Sequence, residues 1–316
     1  MTRAVTPIRF IQTVIHAIRD ADGVRRLFLR DPEGWELPPT SPGAHIDLYL
    51  HHGLTRAYSL CGDPDLNNEY CVAVKKHDAG RGGSSYVHEA LHEGDGLRVS
   101  LPRNSFPLLP AGQFHVFIAG GIGVTPFIPM MRRLDRMGAP YHLHLFFREV
   151  PPLREVLTDL GRSGTLVLHD RVHDRQTTVQ SLIGDPHQDT HAFFCGPLAM
   201  LDDFDVATRA WCPENVHREF FTPPPTTAAD NAYSLILQKS GRTIDVPTTL
   251  TALQALQQAG VAVPSSCEGG ICRACMVKVL EGEPDHRDLC LNSDERRQYF
   301  TPCVSHSRGP RLTVDL

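Results

Sequence analysis

Four cysteines toward the C-terminal end carry the most pointed chemistry in this chain. Cys267, Cys272 and Cys275 are separated by four and then two residues, and Cys303 follows after a further 27. This is the plant-type spacing for a [2Fe-2S] cluster, in which four thiolates surround a small inorganic core. Three ligands then come from one tight loop and the fourth from a segment folded back onto it. Gly269 and Gly270 suit such a loop, because glycine accepts positive φ and lets backbone N–H groups approach the cluster sulfurs. Structural zinc usually recruits paired C-x2-C units or added histidines, and only one such pair is present. A cluster carries electrons without transforming a substrate, so other residues must feed it.

Three further groups could do that. Arg56-Ala57-Tyr58-Ser59 sets a fixed cation and a flat ring on one face of a strand and a hydroxyl on the other. Lys75-Lys76-His77, followed by Gly80-Arg81-Gly82-Gly83-Ser84, is a basic strand end leading through a glycine-rich turn into a helix start, a site suited to a phosphate. Gly120-Gly121-Ile122-Gly123-Val124-Thr125-Pro126 follows an apolar strand and opens a helix, where close backbone approach suits a pyrophosphate. Its glycines read G-G-x-G, so the G-x-G-x-x-G fingerprint and its ribose rule do not apply. Cys195-Gly196-Pro197 ends a later strand at the same edge.

These groups need particular elements to position them. Residues 1–106 read as about six short strands with turn signals at Asp22-Gly23 and His52-Gly53 and a helix over 84–91, an antiparallel β-barrel. From residue 107 the period changes. Strands at 114–119, 141–148, 165–170, 191–195 and 215–221 alternate with helical segments at 127–136, 153–160, 178–183 and 198–211, an α/β doubly wound parallel sheet spanning 107–222. Residues 223–231, with their proline triplet, read as a linker. Residues 232–316 offer a hairpin about Ser240-Gly241, a helix over 250–259, the cysteine loop and two more strands, a small α+β domain.

At 316 residues two or three domains are expected. Hydrophobic residues make up 41% and charged residues 21%, an ordinary globular balance with no apolar run long enough for a membrane span. The first residues lack an apolar signal core, so a cytoplasmic protein without disulfides among its nine cysteines is expected. A formal net charge of −5 argues against nucleic acid as a partner. The 17 histidines show no metal-ligand spacing and read as solvated or core residues.

With these residues laid out, the chain resembles the phthalate dioxygenase reductase family, including reductases of vanillate demethylase type that serve Rieske non-haem iron oxygenases. The resemblance covers essentially the whole chain and implies FMN, NADH and one [2Fe-2S] cluster. It implies a flavin barrel, a nicotinamide-binding domain and a β-grasp plant-type ferredoxin domain. Arg56, Tyr58 and Ser59 match its flavin motif, and Gly82, Gly83 and Ser84 its FMN phosphate loop, with Lys75 on the adjoining basic strand end also expected to bind FMN. Gly120, Gly121, Gly123, Thr125, Pro126, Cys195, Gly196 and Pro197 match the nicotinamide site, while Arg148 and Asp170, from their position at the ends of sheet strands alone, are expected toward the adenosine half.

Within His217-Arg218-Glu219-Phe220-Phe221, Phe221 matches an aromatic that covers a flavin face. Ser59, Cys195, Glu219 and Phe221 are therefore expected to line the hydride-transfer site. Cys303 fits the family's fourth-ligand position better than Cys290. The chain departs from the family at Arg273, where glycine is common, and at Arg218, where an aromatic is frequent. Glu268 and Arg273 are expected on the rim that docks a partner. The implied protein is a monomer that passes electrons from NADH to a Rieske oxygenase. The alternatives are an FAD-containing reductase for a cytochrome P450 or another monooxygenase, and a redox sensor without turnover.

Overall fold

The computed structural model describes residues 10–51, 54–77, 80, 82–109, 114–174, 176–184, 189–221 and 231–316. The chain divides into two compact units, Met1–Phe221 and Thr222–Leu316. The linker expected from the proline triplet and the His52-Gly53 turn lie outside the described residues.

The first unit opens with six antiparallel strands: β1 (Ile11–Ala21), β2 (Val24–Arg30), β3 (His45–Tyr49), β4 (Thr55–Ser59), β5 (Tyr70–Lys75) and β6 (Gly96–Val99). They are ordered β4-β3-β6-β1-β2-β5. Asp22 and Gly23 both take positive φ, 53° and 72°, the two-residue turn that matches strand twist. The outer strands meet through a Leu60–Val72 bridge and a 2.8 Å bond from the Cys61 N–H to the Cys71 carbonyl, which closes the barrel. Ile15, Leu27, Leu29, Ile46, Leu48 and Val72 fill its interior. Helix α1 (Gly83–Glu89) lies between β5 and β6.

A parallel sheet follows, made of β7 (Phe114–Gly120), β8 (Tyr141–Phe147), β9 (Gly164–Asp170), β10 (Thr190–Cys195) and β11 (Val216–Glu219), in the order β11-β10-β7-β8-β9. The chain runs outward from β7 to one side and returns to the other, so the switch point lies between β7 and β10, where such sheets bind ligands. Its helices are α2 (Phe127–Met137), α3 (Arg154–Leu157), α4 (Val179–Leu182) and α5 (Leu198–Ala207). Three, α3, α4 and α5, are shorter than their sequence pattern predicts. Leu153 adopts φ 58°, which starts α3 late, and the Thr208 hydroxyl bonds back to the Phe204 carbonyl at 2.8 Å where α5 ends.

One apolar cluster joins Phe117, Tyr141 and Phe193 of the sheet to Phe127, Met130 and Leu134 of α2 and to Val24, Cys61, Cys71 and Ala73 on the barrel's outer side. This shared burial makes barrel and sheet a single unit. Arg26 pairs with Glu155 at 2.9 Å, and Arg133 and Arg136 reach Asp63 and Asp65, though such partly exposed pairs add little beside apolar burial. Histidines join the sheet packing: His144 faces His169 and His191 faces His217, each at 3.1 Å between ring nitrogens. Burial depresses His144 and His217 to about 4, so at neutral pH they are uncharged rings, and His217 stacks on Phe193 at 4.3 Å.

The second unit contains β12 (Tyr233–Leu237), β13 (Arg242–Val246), β14 (Val277–Glu281), β15 (Pro284–Asp285), β16 (Tyr299–Phe300), β17 (His306–Ser307) and β18 (Arg311–Val314). The main sheet runs β13-β12-β18-β14-β16, with β12 and β18 parallel and the other neighbours antiparallel, while β15 and β17 form a separate pair. Helix α6 (Ala252–Gln258) starts at a capping box of Thr251 and Gln254 and buries Ala252, Leu253, Ala255 and Leu256. This is a β-grasp arrangement. A short helix, α7 (Ser293–Arg296), precedes β16 and is capped by Asn292 and Glu295.

Candidate functional site

The second unit gathers the four cysteines into two pairs. The Cys275 and Cys303 sulfurs lie 3.3 Å apart, and the Cys267 and Cys272 side chains are hydrogen-bonded to each other. Within these pairs Cys267 and Cys275 are the thiols held below their ordinary range, first by the partner thiol and further by backbone N–H groups. The Gly270 N–H points to the Cys303 sulfur at 3.2 Å, the Gly269 N–H to Cys267 at 3.4 Å, and the Cys267 N–H to Cys272 at 3.4 Å. Two thiol pairs ringed by N–H donors fit a two-iron cluster, in which each iron takes two thiolates. Cys290 is turned elsewhere: its sulfur lies 4.0 Å from the Asp288 carboxylate and burial pushes its thiol up to about 12.

The loop's backbone differs from expectation in an instructive way. Gly270 has φ 71°, and a Cβ there would stand 2.5 Å from Val304 Cγ2. Gly269 is not among the residues of positive φ, whereas Glu268 and Arg273 are, at 49° and 60°. The Arg273 guanidinium is directed at the Cys290 carbonyl and Glu295 within the same unit.

In the first unit, β4 and β11 bring together residues 160 positions apart: the Ser59 hydroxyl donates to Glu219 Oε2 at 3.3 Å. Cys195 is the register partner of Glu219 on β10. Although Glu219 keeps some accessible surface, its carboxyl is densely surrounded, and this burial raises it to about 8 against the opposing pull of the Ser59 bond. Burial and then the nearby Glu219 push the Cys195 thiol well above its usual range, so Cys195 is a neutral wall residue and not a thiolate nucleophile. Phe220 is buried, while Phe221, two residues beyond Glu219, is 40% exposed.

The glycine turn and Cys195-Gly196-Pro197 meet backbone to backbone across the switch point. A Cβ on Gly123 would lie 2.1 Å from the Cys195 carbonyl oxygen, and one on Gly120 would lie 2.3 Å from Pro197 Cδ. A Cβ on Gly196 would lie 3.1 Å from the Gly120 nitrogen, a looser but still tight approach. These three glycines let two turns touch, whereas Gly121, at φ 54° with open space beside it, faces no such contact. Thr125 closes the turn through a 3.0 Å bond from its hydroxyl to the Ile122 carbonyl, and Pro126 precedes α2.

Arg56 lies across Gly83, whose missing Cβ would stand 2.7 Å from Arg56 Cγ, so the β4 motif and the Gly82-Gly83-Ser84 turn are adjacent. Gly82 has φ 78°, and Ser84 Oγ accepts the His77 N–H at 3.1 Å. Lys75 is exposed at the end of β5, and Tyr58 packs against the barrel core, where burial raises its hydroxyl to about 12. Asp78, Ala79 and Arg81 lie outside the described residues. Arg148 follows β8 beside the end of β9, where Asp170 bonds His173 at 2.7 Å and the Val172 N–H at 2.9 Å. His51 lies 4.1 Å from Tyr86 on α1, ring centroid to centroid and tilted by 45°, a pairing that nothing local in the sequence marks.

Comparison with known proteins accords with this layout. The 2Fe-2S iron-sulfur cluster binding domain family matches residues 235–308. The chain is 39% identical over 312 residues to the phenoxybenzoate dioxygenase subunit beta of Ectopseudomonas oleovorans, covering 96% of each chain. Among solved structures, phthalate dioxygenase reductase, titled as a modular structure for electron transfer from pyridine nucleotides to [2Fe-2S], superposes with TM-score 0.73 and 34% identity, over 97% of this chain and 98% of that one. An intact type IV self-sufficient cytochrome P450 monooxygenase gives TM-score 0.86 and 34% identity, covering 99% of this chain but 43% of that longer one.

Fold and site together define a pyridine-nucleotide-linked flavin and iron-sulfur oxidoreductase. More particularly, the chain belongs to the phthalate dioxygenase reductase family, whose members include reductase components of oxygenase systems. Among the described residues, no helix is long and apolar enough to cross a membrane.

Proposed function

We propose that this protein is the reductase component of a Rieske non-haem iron oxygenase system, moving electrons from NADH through FMN to a [2Fe-2S] cluster and on to the oxygenase. The observation that carries the reading is the two-pair arrangement of Cys267 with Cys272 and Cys275 with Cys303. Bound flavin supplies the chemistry that links a two-electron hydride donor to a one-electron carrier.

The chain's own residues hold and shield. Arg56, Lys75 and the Gly82-Gly83-Ser84 turn bind the flavin phosphate, Tyr58 and Ser59 orient the ring, and Phe221 covers one face. Gly120, Gly121, Gly123, Thr125, Pro126, Gly196 and Pro197 shape the nicotinamide side, with Arg148 and Asp170 toward the adenosine half. Cys195 excludes water. Glu219 keeps its proton on the carboxyl near neutral pH, which avoids a fixed negative charge beside the reacting rings.

Anaerobic NADH addition tests the path: flavin and cluster absorption should both bleach, with the reduced cluster visible by electron paramagnetic resonance. A cluster that stays oxidised while the flavin bleaches overturns the path.

A second reading has its own support, because relatives include the self-sufficient P450 and a haem-dependent oxidative N-demethylase beta subunit. In that case the electron acceptor is a haem protein. Reduction rates with a Rieske oxygenase and with a P450 as acceptors, together with the mass of the released flavin, separate the two.

A further inference from the structure

Arg273 occupies a backbone conformation, φ 60°, that glycine adopts without strain, so a long cationic side chain there needs a reason. Its contacts give one. Nε donates to the Cys290 carbonyl at 2.8 Å, Nη2 donates to the same oxygen, and Nη1 reaches Glu295 Oε1 at 2.9 Å. The other Glu295 oxygen accepts the Asn292 N–H at 2.9 Å and so caps α7, which lets one carboxylate serve both helix and loop. A second stitch runs from the Leu289 N–H to the Gly270 carbonyl at 3.0 Å. Gly270 also packs against Asp288, whose Cα would be 3.1 Å from a Cβ at that position, while its own N–H faces the Cys303 sulfur at 3.2 Å.

We propose that Arg273 is a positioning residue for the cluster: reaching out from the loop, it clamps residues 288–295 against Gly270 and so holds the Gly270 N–H on the Cys303 sulfur. This rests on the reading that Cys267, Cys272, Cys275 and Cys303 bind the cluster. N–H bonds to the sulfurs, nearby charge and solvent exposure all set cluster potential, and the clamp acts on each of them.

Strain relief and clamping predict opposite outcomes for R273G. Relief alone leaves the cluster as tightly held or tighter. The clamp predicts a protein that still loads iron and sulfide but has a more negative midpoint potential and loses iron to a ferrous chelator roughly tenfold faster. R273K keeps the charge without the forked contact, so it should recover part of the potential shift while losing iron faster than wild type. E295Q retains an acceptor oxygen and should change both quantities least.

The assay runs on the full-length holoprotein, starting with iron and sulfide content. Hydrogen exchange at Gly270 and Leu289, faster in R273G and R273K, is a readout independent of turnover. Wild-type potential, iron release and exchange in R273G overturn the clamp. Should R273G not fold, the same wild-type values in R273K overturn it. A wild-type protein without iron or sulfide instead removes the cluster reading itself, which is a distinct failure.

Discussion

The cysteine loop and the switch-point cleft solve the problem of assembling a site in opposite ways. Three of the four cluster cysteines lie within nine residues, and backbone N–H groups from the same loop complete their surroundings. The cleft draws Ser59, Cys195 and Glu219 from three strands, with 160 positions between the hydroxyl and the carboxylate that share a hydrogen bond. Glycine serves the two places differently. Around the cleft it lets two turns touch, whereas Gly270 combines positive φ with a crowded site beside Val304. A local site is vulnerable through its ligands, and a dispersed one through the packing that brings its strands into register.

Substitutions can break that contrast. The largest effect is expected from Cys303→Ala, which should leave less than about a tenth of the wild-type iron, while Cys290→Ala should retain it; iron analysis decides, and the reverse pattern exchanges the two assignments. Next, Gly123→Ala should cost about 3 kcal/mol in urea unfolding, because its Cβ would collide with the Cys195 carbonyl. Gly121→Ala should cost only about 1 kcal/mol, since backbone strain is its sole penalty. Equal losses at these two glycines would remove the distinction between packing and conformation.

Glu219 tests the cleft through pH. Its carboxyl is raised from 4.5 to about 8 in the folded protein, so it stays protonated there while the unfolded chain ionises. The stability from that retained proton is complete below the unfolded value and is lost as pH rises through about 8. Glu219→Gln should therefore flatten this decline and gain about 2 kcal/mol at pH 9, discounted for solvent reaching the residue; an unchanged pH profile of unfolding would count against the buried carboxyl. A further test concerns the flavin phosphate. Arg56→Ala should weaken FMN retention roughly tenfold by equilibrium dialysis, and undiminished binding would remove Arg56 from that role.

Much of the architecture is legible in the sequence, since alternation of apolar strands with helical segments marks the parallel sheet and turn residues mark the barrel. The cysteine spacing points directly to a site because its geometry is local. Helix ends are less legible: a left-handed Leu153 caps the start of α3, which stops at Leu157, and the Thr208 hydroxyl bonds back where α5 ends, and neither boundary is evident from periodicity. The bond between Ser59 and Glu219 is invisible until β4 and β11 are placed in space. Arg273 is a departure from family pattern in the sequence, but its partners lie 17 and 22 positions away and emerge only once the loop is folded.

The apolar cluster shared by barrel and sheet has a kinetic consequence. Opening the cleft by hinging one lobe away from the other would expose Phe127, Met130 and Cys71 to water, a cost that apolar burial makes steep. The contact between Ser59 and Glu219, which bridges β4 and β11, is thus held in place by the core that joins barrel to sheet. Two lobes that share one core are expected to move as one body, without the microsecond-to-millisecond hinging of separately packed domains.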